Sequence, residues 1–337
     1  MEKISVKFLS VVSGCYNEDE NVRELYERIT RVFAEELPEY LYEIILIDNC
    51  SQDKTVEVLR GICSEDRRVK VILNNRNFGH IRSGYHAILQ AGGDAVIAMA
   101  SDLQDPPEMI SQFVRKWESG YKIALAQKTT SEESALFFFV RKAYYNLVSR
   151  LSEVPLVKNV TGFGIYDRCV IEEIRKIGDP YPYFRGLICD LGYEQALIPF
   201  NQPVRKRGFT KNNFYTLYDM AMLGFVSHSK VPLRLAIFSG FCVGGVSFLV
   251  GIAYLVYKLL YWSRFEAGTA PVVIGLFFLG AVQLFFIGII GEYVGSIHTQ
   301  VLRRPPVIEK GRINFKETAS GPAMQDADVA RERRRLR

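Results

Sequence analysis

Residues 100–108 read Ala-Ser-Asp-Leu-Gln-Asp-Pro-Pro-Glu, an acidic turn that follows directly on the apolar run 95–99 and is closed by two prolines. A carboxylate delivered by the end of a buried strand can hold a hard divalent cation, and such a cation points to a phosphorylated substrate. Gln104 stands two residues beyond Asp102, so in an extended strand end the two side chains share a face and could share an ion. The plainer role for Asp102 is to cap a helix opened by Pro106, whose missing N–H costs nothing at that position. Asp48 ends another apolar run. It can accept hydrogen bonds from a base or ribose, or cap the turn that follows it, and the sequence weighs the two roles equally.

The elements that must position these groups alternate strand and helix. Continuous apolar runs at 8–15, 42–47, 69–73 and 95–99 predict four strands, and helical spacing follows each. Val22, Leu25, Tyr26, Ile29, Val32 and Phe33 mark the first helix, with further helices over 55–62, 81–91 and 137–151. Such a pattern predicts an α/β fold with a mostly parallel, Rossmann-like sheet covered on both faces. Ligands of these sheets gather at the carboxyl ends of the strands, where the polar clusters 16–18, 48–53, 74–79 and 100–105 all fall.

Two further runs, 235–260 and 271–291, are almost uninterrupted in their apolar character, and each exceeds the roughly 20 residues needed to cross a bilayer as a helix. Basic residues crowd both flanks: Arg205, Lys206, Arg207, Lys211, Lys230 and Arg234 before, Arg303, Arg304, Lys310 and Arg312 after. The positive-inside rule then puts both ends of the hairpin, and the large N-terminal portion, in the cytoplasm, which predicts a multi-pass protein of the inner (cytoplasmic) membrane. Residues 1–7 are charged and the apolar stretch after them is short, so no cleavable signal is expected. The predicted organisation is a catalytic domain over 1–205, an amphipathic interfacial segment over 206–232, spans over 233–262 and 270–297, a cytoplasmic segment over 298–315 and a disordered tail over 316–337. Gly240, Gly244, Gly245 and Gly251 would let helices approach closely, which is compatible with a homo-oligomer.

Several classes are excluded. No Gly-rich dinucleotide fingerprint follows the first strand and no P-loop occurs. The six cysteines form no CxxC pair or metal spacing, which fits a reducing compartment. The net charge of +5 is concentrated beside the apolar runs, as anionic lipid would favour, and no nucleic-acid-binding module accompanies it.

The ordered set CYNEDENV (15–22), IDNCSQDKT (47–55), NFGH (77–80) and SDLQDPPE (101–108) resembles the family 2 inverting glycosyltransferases of the GT-A type. Downstream, FRGL (184–187), residues 205–234 and residues 287–309 resemble the bacterial polyprenyl-phosphate branch, notably the glucosyltransferases that supply lipid-linked glucose for surface-polysaccharide modification. That likeness implies a UDP-sugar or GDP-sugar donor, Mg²⁺ or Mn²⁺, and a polyisoprenyl (undecaprenyl) phosphate acceptor. It places Tyr16, Asn17, Glu18 and Asp48 around the nucleoside, and Asp102 and Gln104 at the metal and diphosphate. Arg205, Lys211 and Arg141 would meet phosphate, with membrane-surface attraction as the competing role for each. Asp167 is a candidate base or sugar-orienting group, or else half of a structural ion pair. Two departures from the family pattern stand out: Ala100 occupies the first position of Asp-x-Asp, and Asn49 the second of Asp-Asp-x-Ser. Glucose from UDP-glucose is the implied transfer; GDP-mannose as donor and a weakened sugar-nucleotide-binding scaffold are the alternatives.

Overall fold

A computed structural model describes residues 6–129, 157, 159–203, 222–224, 226, 229–261 and 269–315. Eight strands form one sheet in the order β7-β5-β6-β4-β1-β2-β3-β8. Its centre consists of β1 (Phe8–Cys15), β2 (Leu41–Asp48), β3 (Val69–Asn74) and β4 (Ala95–Ala100), all parallel to their neighbours in this set. These are the four runs expected from the sequence, each within one residue at either end. One flank adds β6 (Val160–Asp167) antiparallel to β4, then β5 (Ile123–Lys128) antiparallel to β6, then β7 (Gln195–Phe200) parallel to β5.

Alternation along the strands feeds two cores. Leu9, Val11, Ile44, Leu46, Val71 and Ile97 face α1 (Val22–Glu35), α2 (Thr55–Glu65) and α4 (Ile110–Glu118). Val12, Ile45, Ile47, Ile72 and Val96 face α3 (His80–Gln90) and α5 (Arg168–Ile177). The expected start of α4 is corrected: Pro106 precedes a single 3-10 turn, Pro107–Met109, and the α-helix begins only at Ile110. Gly164 sits where β6 passes β5 so closely that a Cβ would lie 2.2 Å from the Ala124 carbonyl oxygen. A short helix, α6 (Phe184–Asp190), follows α5.

Two long helices follow the sheet's seventh strand in sequence, α7 (Val231–Leu260) and α8 (Thr269–Leu302). At 30 residues α7 is about 45 Å long, more than the ~30 Å of a hydrocarbon core. Both are long and apolar enough to cross a membrane, and their large side chains face outward, Phe241 76% and Phe277 72% exposed. After α8 the chain returns to the sheet. Residues Glu309–Ile313 form β8, antiparallel to β3, a strand that no sequence pattern announced within 298–315. Asn75 N–H donates to the Ile308 carbonyl, and Asn314 Nδ2 donates to the carbonyls of Cys63 and Val69. The domain that carries the sheet is therefore completed by residues from beyond the hairpin, and α8 is tied to the segment just ahead of α7 where Tyr293 Oη donates to the Ser229 carbonyl at 2.6 Å.

Candidate active site

Strand order reverses between β1 and β4, and a cleft of about 1060 Å³ opens at their carboxyl ends. Register places Gly14 of β1 beside Ala100 of β4, and Ser101 Oγ donates to the Gly14 carbonyl at 2.9 Å, fastening the acidic turn to β1. The strand stops at Ala100, so Asp102 and Gln104 share the cleft through a turn rather than through extended backbone. Leu103 adopts φ 61°, and the Gln104 N–H donates to Asp102 Oδ1 at 3.2 Å. Gln104 Nε2 reaches the Pro203 carbonyl at 3.4 Å.

Sequence reasoning missed Asp105. Its carboxylate accepts the Ala100 N–H at 2.9 Å and closes the turn while lining the cleft. Burial, reinforced by the neighbouring charge of Asp102, pushes its carboxyl up to about 6. Ahead of two prolines it reads merely as a turn residue.

On the β1–β3 wall, Tyr16 and Glu18 line the cleft. Glu18 is nearly buried; its N–H donates to Thr55 Oγ1 at 2.8 Å and its carboxylate accepts Asn21 Nδ2 at 2.6 Å. Asn17 and Asp48 do not line it. Asn17, at φ 55°, clasps the following loop, donating its N–H to Ser51 Oγ and accepting the Gln52 N–H. Asp48 is 2% exposed, and its carboxylate accepts the N–H groups of Cys50 and Ser51, each at 3.1 Å. Of the two roles weighed for Asp48, the structure places it in the turn-capping one. Asn49 joins the two loops: its Oδ1 accepts from Asn74 Nδ2, Phe78 N–H and Ser83 Oγ while its Nδ2 donates to Asn77 Oδ1.

The opposite wall comes from β6 and α6, through Thr161, Gly162, Phe163, Tyr183, Phe184 and Arg185. Arg185, in the FRGL run, is a second residue that the sequence did not single out. Burial, and then the charge of Arg185, hold His80, which lines the cleft, below the ordinary imidazole range.

Asp167 is not brought to this site. It pairs in register with Ala95, the first residue of β4, at the other end of the sheet from Asp102. There it caps α5 through the Cys169 N–H and accepts Trp117 Nε1 at 2.8 Å and Lys122 Nζ at 3.0 Å. Burial alone would raise its carboxyl, but the hydrogen bonds from Cys169, Trp117 and Lys122 together hold it at about 2. The reading as a base is corrected to the structural pair, with Lys122 as partner. Arg141, Arg205, Lys206 and Lys211, most of the segment 206–232, the helix over 137–151 and the tail 316–337 lie outside the described residues.

Among the described residues no group of three or more His, Cys, Asp or Glu gathers to hold a metal. The cleft offers instead the carboxylate of Asp102 and the amide oxygen of Gln104 in one turn, with the buried carboxyl of Asp105 beside them. All are hard oxygen donors, too few for an all-protein cage and suited to a Mg²⁺-like ion that keeps waters and leans on substrate phosphates.

Residues 10–174 match the model for Glycosyl transferase family 2, and residues 231–297 match that for the GtrB C-terminal hairpin. An uncharacterized glycosyltransferase of Synechocystis is 33% identical over 298 residues, covering 88% of this chain and 93% of its own. The chain belongs to glycosyl transferase family 2. The SfII prophage-derived bactoprenol glucosyl transferase of Shigella flexneri is similarly related, at 31% identity over 303 residues, covering 90% of this chain and 97% of that one. Glucosyl-3-phosphoglycerate synthase of Mycobacterium tuberculosis overlays with TM-score 0.44 at 17% identity, covering 65% of this chain and 78% of that one, too distant a likeness to carry further argument. The protein is thus a glycosyltransferase whose GT-A-like sheet is joined to a membrane-associating hairpin of two apolar helices.

Proposed function

We propose that this glycosyltransferase is membrane-bound and moves glucose from UDP-glucose onto a polyisoprenyl phosphate, in bacteria undecaprenyl phosphate, on the cytoplasmic face with inversion at the anomeric carbon. One observation carries the reading. The sheet that forms the sugar-nucleotide cleft is completed by β8, which lies just past the apolar hairpin, so that both ends of the hairpin belong to the cleft's own side. A lipid acceptor anchored in the same bilayer then meets the cleft without leaving the membrane. The bactoprenol glucosyl transferases among its relatives supply the acceptor class and the hexose, and the basic flanks of the hairpin supply the orientation.

In this reading a phosphate oxygen of the acceptor bonds to the anomeric carbon as the bond from that carbon to UDP breaks, giving lipid phosphoglucose and UDP. The nucleophile is an anion at neutral pH, so the chain needs no general base. That agrees with Asp167 standing at the far end of the sheet. Tyr16 and Glu18 border the nucleoside, while Asn17 and Asp48 shape the loops behind it. Asp102 and Gln104 would hold Mg²⁺ or Mn²⁺, which when bound neutralises charge on the departing diphosphate. Asp105 holds their turn closed. Arg141, Arg205 and Lys211 remain the proposed phosphate-side cations contributed by segments 130–156 and 204–221.

The test is transfer by the full chain in detergent micelles, given undecaprenyl phosphate, Mg²⁺ and a panel of UDP- and GDP-sugars. Glucosylated lipid from UDP-glucose is expected. Lipid-linked sugar from no donor overturns the acceptor assignment, and preference for GDP-mannose overturns the donor.

A further inference from the structure

Among the described residues that line the cleft, Arg185 is the one lysine or arginine. Its Nη1 donates to the Val160 carbonyl at 3.0 Å, and no carboxylate among the described residues pairs with it. Most of the donors of its planar fork are therefore left for a ligand, in a cleft whose other described charges are the carboxylates of Glu18, Asp102 and Asp105. The support behind it is stiff. Phe184 packs edge-on against Tyr166 with ring centroids 5.4 Å apart, and Tyr166 Oη donates to the Gly162 carbonyl at 2.6 Å.

The chain leading to Arg185 starts at the hairpin. Asp179 Oδ1 accepts Gln300 Nε2 at 2.8 Å near the end of α8, and also accepts the Tyr181 N–H at 2.9 Å. Arg82 of α3 lies over the Tyr181 ring at 4.8 Å. Only a few residues separate this contact from Arg185, so the α6 wall, across the acidic turn from Tyr16 and Glu18, is joined to the end of α8 by a side-chain hydrogen bond.

We propose that Arg185 grips the phosphate of the membrane-borne acceptor, holding it across the cleft from the donor's nucleoside. This rests on the polyprenyl-phosphate reading above. A guanidinium fork suits a phosphate monoester bidentately, and a fixed positive charge there offsets the repulsion between two anions that must approach within bonding distance.

The donor diphosphate has the same chemistry, so the experiment separates the two. Arg185→Gln and Arg185→Lys are made in the full chain and assayed with undecaprenyl phosphate, UDP-glucose and Mg²⁺, while UDP binding is titrated calorimetrically without acceptor. Arg185→Gln should raise the KM for the lipid about ten- to hundredfold with UDP affinity changed by less than about twofold. Arg185→Lys, which keeps the charge and loses the fork, should recover part of that loss. UDP affinity falling in step with the lipid KM assigns Arg185 to the donor and overturns the proposal. Unchanged lipid KM in both variants also overturns it, leaving Arg185 a strut for Val160. Should Arg185→Gln fail to fold, a lipid KM that Arg185→Lys leaves unchanged overturns it alone. Wild-type protein that makes no lipid-linked sugar removes the underlying reading and this proposal together, whereas an active wild type with insensitive variants removes this proposal only.

Discussion

The side-chain amide of Asn49 donates to Asn77 Oδ1 at 2.8 Å, and that same oxygen accepts the Gly79 N–H at 2.8 Å. Asn49 Oδ1 meanwhile accepts three donors, from Asn74, Phe78 and Ser83. A carboxylate at position 49 could keep those three but would turn its second oxygen against Asn77 Oδ1, which cannot reverse without abandoning Gly79. The departure from the family's second acidic position is thus matched by its surroundings. Asn49→Asp should destabilise the protein by about 1–3 kcal/mol and loosen the loop over 77–80, weakening UDP binding. Thermal unfolding and UDP titration read both effects, and a variant equal to wild type in each would refute the argument.

Of the two carboxylates of the acidic turn that line the cleft, Asp102 is the more exposed, while Asp105 is buried and accepts the Ala100 N–H. Asp102→Ala should lower kcat/KM at least about a hundredfold, and Gln104→Ala about tenfold, with the fold unchanged. The decisive reading is UDP affinity with and without Mg²⁺. Wild type should bind UDP more tightly with the ion, and Asp102→Ala should bind equally in both conditions. A variant that retains the Mg²⁺ enhancement would move the cation elsewhere.

Asp167→Asn separates a cap from a catalytic group. Asn keeps an acceptor for the Cys169 N–H and loses the ion pair with Lys122. Stability should drop by about 1–2 kcal/mol, while transfer measured well below the unfolding temperature stays within about threefold of wild type. A loss of turnover by orders of magnitude at undiminished stability would restore the catalytic assignment.

The central sheet was legible because its four strands are continuous apolar runs, each ending in a polar cluster; physics puts such clusters at one edge of the sheet. The flanking strands were not. Gly162 and Gly164 interrupt the apolar pattern of β6, and β5 and β7, outward from it in the sheet, are short runs. The site was half legible for a different reason. Asp48, Asp102 and Asp167 are the same group at a strand end, and only folding decides which one caps its own backbone and which one lines the cleft. Arg185 carried no mark of its role in FRGL, since its position depends on α6 meeting β6.

The strand β8 was hidden as well, because Glu-Lys-Gly-Arg-Ile has no apolar alternation and gains its partner only after the hairpin returns. Its anchor is Glu309, whose carboxylate accepts His86 Nε2 at 2.6 Å and the Arg312 guanidinium, while Arg312 also reaches Gln90 Oε1 at 2.9 Å. Burial by itself would raise this carboxyl, but the hydrogen bonds from His86 and Arg312 hold it down at about 2. A carboxyl depressed below its unfolded value of about 4.3 contributes fully above that pH, and the contribution is lost as the pH falls toward 2. Glu309→Gln should therefore cost about 1–3 kcal/mol at neutral pH, and the gap from wild type should close between about pH 4 and pH 2. Hydrogen exchange should show the loss first in peptides covering β3 and β8, where Asn75 N–H meets the Ile308 carbonyl. Acid-unfolding curves that stay parallel for the two proteins would mean that β8 is held by its backbone pairing alone.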